Sequence, residues 1–207
     1  MAPRKVAAAG DQTLREHLIT TAERLLARRG ATPTVRDIAQ EAGVAAGVLY
    51  NHFADKEDLL AFALHAHVRS VEATLGAPPE PGVDPVETAL TKFVERGLKL
   101  HEAILPAFTA LLAQPEVLVR FRALTNPTAD GRGLRQELVD FLAVERKQGR
   151  IATDADLEAA ATMIIGACHE VVLPHLYGGT EVVVPNDFAA TISRTVLHGI
   201  ASPASNR

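Results

Sequence analysis

The apolar residues of this chain return at offsets of three and four, in runs broken by glycine and proline, and that spacing admits a helical fold and little else. From Thr13 the first run carries Leu14, Leu18, Ala22, Leu25 and Leu26, with charged residues on the opposite side. Arg28 and Arg29 fall in its last turn, where the helix dipole favours cations, and Gly30 is a natural terminator. Thr34 opens a short second helix with Val35, Ile38, Ala39 and Ala42 inward, and Asp37 stands where a capping box usually has Glu or Gln. Gly43 ends it. A third helix is expected from Ala45 to Phe53, and a fourth from Asp55 to Leu75 with Leu60, Leu64, Val68, Val71 and Leu75 in one stripe. Residues 76–85 are rich in proline and glycine and read as a linker. Helical spacing resumes over 86–103, 104–113, 115–125, 129–148, 154–177 and 186–200, with Pro106 and Pro115 placed in first turns. The fold class is therefore all-α, with about nine helices, a brief extended stretch at Val182–Val184 and no convincing sheet.

Composition agrees. Alanine and leucine supply most of the apolar content, aromatics make up 4% and Trp is absent, which favours helices over strands. The formal charge of -4 argues weakly against a nucleic-acid partner, but it is unevenly placed. Residues 1–60 carry equal numbers of basic and acidic side chains, so the excess acid lies beyond them. A few cations that face phosphate suffice for binding, because only those release counterions. Cys168 is the single cysteine, so no disulfide can form within the chain. Residues 1–11 lack the apolar core of a signal peptide, and apolar stretches are interrupted by charge before the length of a membrane span. A cytoplasmic location and no membrane partner are the expectations.

The most informative segment is Thr34–Leu60, TVRDIAQEAGVAAGVLYNHFADKEDLL. Two short helices meet at Gly43-Val44, where glycine can take a positive φ without steric cost. That order matches a helix-turn-helix. Leu49 and Phe53 are inward anchors. Ala45, Ala46, Gly47 and Val48 are small enough to let the start of the second helix approach another surface closely. Tyr50, Asn51 and His52 then supply hydrogen-bonding groups within one turn. A helix that reads the major groove uses such an N-terminal half.

At these residues the chain resembles the TetR family of transcriptional regulators. Its signature runs roughly A-G-V-S-x-G-x-L-Y-x-H-F-x-x-K-E-x-L. Here Glu41 to Val44, Gly47 to Phe53 and Lys56 to Leu60 follow it, preceded by T-V-R-D-I-A; the close match covers residues 13–60. The resemblance implies that Thr34 and Arg36 meet phosphate, and that Ala45, Ala46, Gly47 and Val48 lie on the groove floor against thymine methyls. It implies that Tyr50, Asn51 and His52 bond to phosphate, with Asn51 the polar candidate for a base edge, and that Lys56 pairs with phosphate. Arg4 and Lys5 are candidates for a minor groove. The chain departs from the pattern at Ala45, where the family often has a capping Ser, and at Ala46, where it often has Lys or Pro. The missing cap is expected to cost about 1 kcal/mol and to leave fewer polar groups for base readout.

The resemblance also implies a domain plan: residues 1–11 a disordered basic arm, 12–54 the DNA-binding domain, 55–75 a connecting helix, and 76–207 a ligand-binding and dimerisation domain. The last two helices would pair with their copies in a second subunit. Ala160, Met163, Ile164, Ala167 and Val171 on one, and Phe188, Ile192 and Val196 on the other, are the candidate interface. The partners implied are a roughly palindromic double-stranded operator, a second copy of the chain, and a small, largely hydrophobic effector that releases DNA.

Phe93, Phe108, Phe121 and Phe141 are core residues or pocket lining; with Cys168 and His169 they are the candidates for the effector site. By default Cys168 is a buried structural thiol, since no cation stands near it in sequence. No metal site is expected. His65 and His67 point apart on a helix, and His169-Glu170 is followed by Leu173 where a zinc motif needs a second histidine. No catalytic or cofactor motif is present, so no catalytic residue and no cofactor is assigned. The alternatives are a regulator that activates or needs no ligand and, further off, a helical carrier or enzyme.

Overall fold

The computed structural model describes residues 4–28, 32–124, 133–178 and 183–200, with backbone alone for 4–10 and 175–178. All its regular elements are helices: α1 (Arg4–Ala27), α2 (Val35–Ala42), a short 3-10 helix (Ala46–Asn51), α3 (Lys56–Thr74), α4 (Val86–Ala110), α5 (Pro115–Ala123), α6 (Leu134–Lys147), α7 (Leu157–Gly178) and α8 (Phe188–His198). The all-α class holds. The chain forms two compact units, Met1–Thr74 with Ile104–Gly131, and Leu75–Ala103 with Arg132–Arg207. Ile104–Gly131, which the sequence plan assigns to the C-terminal domain, thus clusters with the N-terminal helices.

Helices α1 and α4 differ from their sequence expectation. Helix α1 starts at Arg4, inside the segment expected to be a disordered arm. Lys5 to Ala9 contain three alanines and no proline, so nothing local stops the helix from extending. The predicted helices 86–103 and 104–113 are one continuous α4 with Pro106 in its interior. Proline there removes one backbone bond; the Thr109 hydroxyl reaches the Leu105 and Pro106 carbonyls at 3.1 and 3.0 Å. Pro115, by contrast, sits in the first turn of α5 as expected. The predicted stop at Arg29-Gly30 and Val182 lie outside the described residues; Val183 and Val184 are exposed and in no regular element.

In the first unit α1, α2, the 3-10 helix and α3 close on one core. Leu18, Ile38, Leu59, Leu60 and Leu64 are fully buried, joined by Leu26, Leu49 and Phe53. Each such side chain contributes about 1.5–3 kcal/mol relative to exposure. The end of α4 and all of α5 belong to the same core through Ala107, Leu111 and Val117. Phe108 and Phe121 meet edge to face, their centroids 5.3 Å apart.

The second unit is built on α4, α6 and α7. Leu90, Phe93 and Val94 from α4 are buried, as are Leu138, Phe141 and Leu142 from α6 and Ala161, Ile164, Cys168 and Val172 from α7. At Gly97 α4 packs tightly against α7: a Cβ there would stand 2.9 Å from the Cys168 sulfur and 3.3 Å from Leu134 Cδ2 of α6. The segment 76–85 has no regular structure but is held onto this unit. The Arg96 guanidinium donates to the Gly76 carbonyl at 2.6 Å, and the Gly82 amide donates to buried Glu145 at 2.7 Å. Lys92 pairs with Asp84 at 2.6 Å, and Arg150 donates to the Asp84 carbonyl. A sequence that reads as a linker is thus fastened by side chains distant in the chain.

Candidate nucleic-acid interface

The turn that builds the interface is over-determined. Thr34 Oγ1 accepts the Asp37 amide at 3.2 Å and the Asp37 carboxylate accepts the Thr34 amide at 2.8 Å, so the capping box forms with aspartate. The Thr34 hydroxyl, which donates to the Asp37 carboxylate at 2.6 Å, and then the Thr34 amide hold the Asp37 carboxyl below its usual range. At the other end Gly43 takes φ +71, a value that side-chain-bearing residues rarely adopt. The Gly43 amide donates to Gln40 at 3.2 Å and the Val44 amide to Ala39 at 3.0 Å, the paired bonds of a Schellman ending. Val44 then packs onto the core.

The next element is a 3-10 helix where an α-helix was expected. Ala45 offers no side-chain cap bond, as its identity predicts, and Gly47 follows two residues later. The Val48 amide closes on the Ala45 carbonyl at 2.9 Å, and tighter turns of this kind are common in short, weakly capped pieces. Leu49 and Phe53 are buried at 3% and 4% exposure and anchor the segment from below. Arg15 of α1 stacks over the Phe53 and Phe62 rings, 4.9 and 4.3 Å from their centroids. On the outer side Ala45, Ala46, Gly47 and Asn51 are exposed, Val48 is half-buried and Tyr50 is 59% exposed, unusual for a large ring. A Cβ added at Gly47 would meet nothing within 4 Å, so internal packing does not demand glycine there.

Thr34 and Arg36 are exposed at the start of α2, and Lys56 is half-buried at the start of α3. Neither Arg36 nor Lys56 has an ion-pair partner among the described residues. His52 departs from expectation. Its side chain is only 5% exposed and its Nδ1 lies 3.3 Å from the Asp11 carboxylate of α1, so the ring faces inward rather than toward a phosphate. The side chains of Arg4 and Lys5 lie outside the described residues; their backbone is helical. Sequence reasoning missed Asp11, Arg15, Asp55 and Arg120, which hold the surface in place. Each acts across a separation that no local pattern reports, as with Asp55 and Arg120, 65 positions apart.

The six effector-site candidates fall into two groups. Phe108 and Phe121 belong to the first unit's core. In the second unit Phe93 and Phe141 are buried with ring centroids 5.1 Å apart. Cys168 is fully buried, its thiol 3.7 Å from the Val94 carbonyl, and burial pushes its pKa up to about 12, which is a structural thiol and not a reactive one. His169 meets His101 edge to face at 4.3 Å. His101 donates through Nδ1 to the Gly97 carbonyl at 2.6 Å, and burial lowers its pKa to about 4; burial also lowers that of His169. Two openings in this unit, of about 380 and 300 Å³, are lined by none of the six. One lies between 75–84 and Lys92, Arg96 and Lys99; the other is bounded by Leu90, Leu142, Ile151, Leu157 and Val196, with Arg150 and His198.

Of the interface candidates, Met163 is 54% exposed; Ala160, Ala167, Val171, Phe188, Ile192 and Val196 are half-buried. Ile164 is only 1% exposed and belongs to the core of the second unit, which corrects its assignment. The α7 stretch Leu157–Pro174 is long and apolar enough to cross a membrane by length and composition alone, and only 28% of it is buried.

The sequence profile described as "Bacterial regulatory proteins, tetR family" matches residues 18–62, the span from α1 through the first turns of α3. Over 200 residues the chain is 28% identical to the HTH-type transcriptional repressor KstR2 of Rhodococcus jostii (strain RHA1), covering 94% of each protein. Solved structures share its fold. A putative TetR-family regulator from Mesorhizobium loti MAFF303099 aligns with TM-score 0.66 at 16% identity, over 90% of this chain and 94% of that one. The regulator FadR of Bacillus subtilis, in complex with stearoyl-CoA, aligns with TM-score 0.58 at 20% identity, over 90% and 99%. The helix-turn-helix geometry, the profile on that segment and the relative aligned along the chain agree: residues 18–62 are similar to the DNA-binding segment of tetR-family regulators, and the chain is similar over its length to a transcriptional repressor.

Proposed function

We propose that the chain represses transcription as a homodimer on a roughly palindromic operator and leaves DNA when a largely hydrophobic small molecule binds its second unit. One observation carries the reading. Between Ala45 and Asn51 the surface is small and exposed, apart from one projecting tyrosine, while Leu49 and Phe53 pin it from beneath. Gly47 is small without any internal reason to be, which fits close approach to an external surface. The duplex contacts are then Thr34, Arg36, Tyr50, Asn51 and Lys56 with phosphate or base edges, and Ala45, Ala46, Gly47 and Val48 against thymine methyls. His52, turned inward, positions the segment instead.

A dimer is supported by α7, whose exposed side runs through Ala159, Met163 and Gly166, with half-buried α8 residues Phe188, Ile192 and Val196 to extend it. A twofold axis through such a face presents two reading segments to successive turns of one DNA side. An apolar effector is supported by the opening of about 300 Å³ in the second unit, bounded by Leu90, Leu142, Ile151, Leu157 and Val196. The stearoyl-CoA bound to the Bacillus subtilis regulator makes long acyl thioesters the first class to try.

The test is a gel-shift titration of the protein against DNA from upstream of its own gene, with and without stearoyl-CoA. Tyr50→Ala and Lys56→Ala should each weaken binding about tenfold with the fold intact, the scale of one or two phosphate contacts. Lys56→Ala should also flatten the dependence on salt. Unchanged binding in both variants would remove the assignment.

A further inference from the structure

Asp55 closes the turn after the 3-10 helix and caps α3. Its Oδ1 accepts the Asp58 amide at 2.8 Å, and its carbonyl accepts the Leu59 amide at 3.4 Å. Asp58 in turn accepts the Ala54 amide at 3.2 Å. The turn therefore carries Tyr50 and Asn51 on one side and Lys56 on the other. Its fixed point is a carboxylate, and that carboxylate is gripped from outside the helix-turn-helix. Arg120 of α5 donates to both Asp55 oxygens, with Nη2 at 2.8 Å from Oδ2 and Nη1 on Oδ1. A two-pronged guanidinium–carboxylate pair fixes direction as well as distance. The Arg120 bond is the first cause that holds the Asp55 carboxyl below its usual range. Helix α5 is itself immobilised, since Val117 is fully buried in the same core and Leu118 and Phe121 pack against it.

We infer that Arg120 is a positioning residue for DNA binding, acting through Asp55 to hold Tyr50, Asn51 and Lys56 in the pose that meets the duplex. The inference rests on the DNA-binding reading above. It makes α5, whose residues lie far outside the matched motif, a part of the recognition apparatus. An arginine at this surface could instead touch phosphate itself, and the two roles give opposite results at Asp55. If Arg120 acts through Asp55, removing the carboxylate charge weakens DNA binding. If Arg120 meets phosphate directly, freeing it from Asp55 leaves binding unchanged or tightens it.

The experiment uses the full-length protein and a duplex that the wild type selects from a random-sequence pool. Asp55→Asn keeps an acceptor for the α3 cap while losing the ion pair. Arg120→Gln removes the other partner, and Arg120→Lys keeps the charge without the two-pronged grip. Asp55→Asn and Arg120→Gln should each lower affinity about tenfold, and the double variant no further than either single one, as coupled partners do. Arg120→Lys should recover part of the loss. Circular dichroism and thermal midpoint should stay close to wild type, which a general loss of stability would not allow. Wild-type affinity in Asp55→Asn, tighter binding in it, or losses that add in the double variant would each overturn the inference. Should the wild type select no duplex at all, the DNA-binding reading falls first and this one with it.

Discussion

His101 shows how a single residue ties this protein to pH. Its ring is 6% exposed in the second unit, donates to the Gly97 carbonyl and faces His169. Burial, aided by the neighbouring His169, lowers its pKa to about 4 from an ordinary 6.5, against the opposing effect of the Gly97 bond. The folded state therefore resists a proton that the unfolded chain accepts. The stability this neutral ring contributes is fully present above pH 6.5 and is lost as pH falls toward 4. A loss on the order of 1–3 kcal/mol is expected across that window. Urea midpoints at pH 7.5 and pH 5 should differ, and His101→Gln should flatten the difference; a midpoint independent of pH in the wild type would refute it. Sequence alone leaves this histidine unremarkable, because its burial is set by α7, a helix more than fifty positions away.

At the scale of elements, two glycines in helical segments have opposite reasons for being glycine. Gly97 in α4 lies against Cys168 and Leu134, where a Cβ would come within 2.9 Å of sulfur. Gly97→Ala should therefore force α4 and α7 apart and destabilise the protein by about 1–3 kcal/mol. Gly47 in the 3-10 helix faces open space. Gly47→Ala should leave thermal stability unchanged or slightly raised, because alanine is the better helix former by about 1 kcal/mol. Gly47→Leu should keep the fold and abolish operator binding, since the branched side chain would hold the segment off the groove floor. Thermal melts and gel shifts on the three variants separate these outcomes; retained binding in Gly47→Leu would show that the surface does not face DNA. The sequence motif marks Gly47 and says nothing of Gly97, whose need for smallness is created only when two distant helices cross.

For the whole molecule, the proposed twofold dimer accounts for α7, an apolar helix only 28% buried over Leu157–Pro174, which a second copy would cover. Met163 is the most exposed of the interface candidates, and a symmetric contact would place it near its own equivalent. Met163→Arg should therefore set two cations against each other at an apolar seam, at a cost of several kcal/mol to association. Sedimentation should show the wild type as a dimer and Met163→Arg as a monomer with weakened operator binding and intact helical content. A wild-type monomer at micromolar concentration would refute the twofold arrangement.

What the chain's order of residues determined by itself is local. Apolar spacing specified an all-helical fold, Thr34 with Asp37 specified a capped helix, and Gly43 specified the turn that aims the reading segment; each depends only on neighbours within a few positions. The tertiary structure alone decided the rest: that α4 runs through Pro106, that Ile164 belongs to a core and not a seam, and that His52 turns toward Asp11. It also decided that Arg120 grips Asp55. These outcomes depend on which surfaces meet after collapse, and burial and ion pairing between distant residues leave no periodicity in the sequence from which to read them.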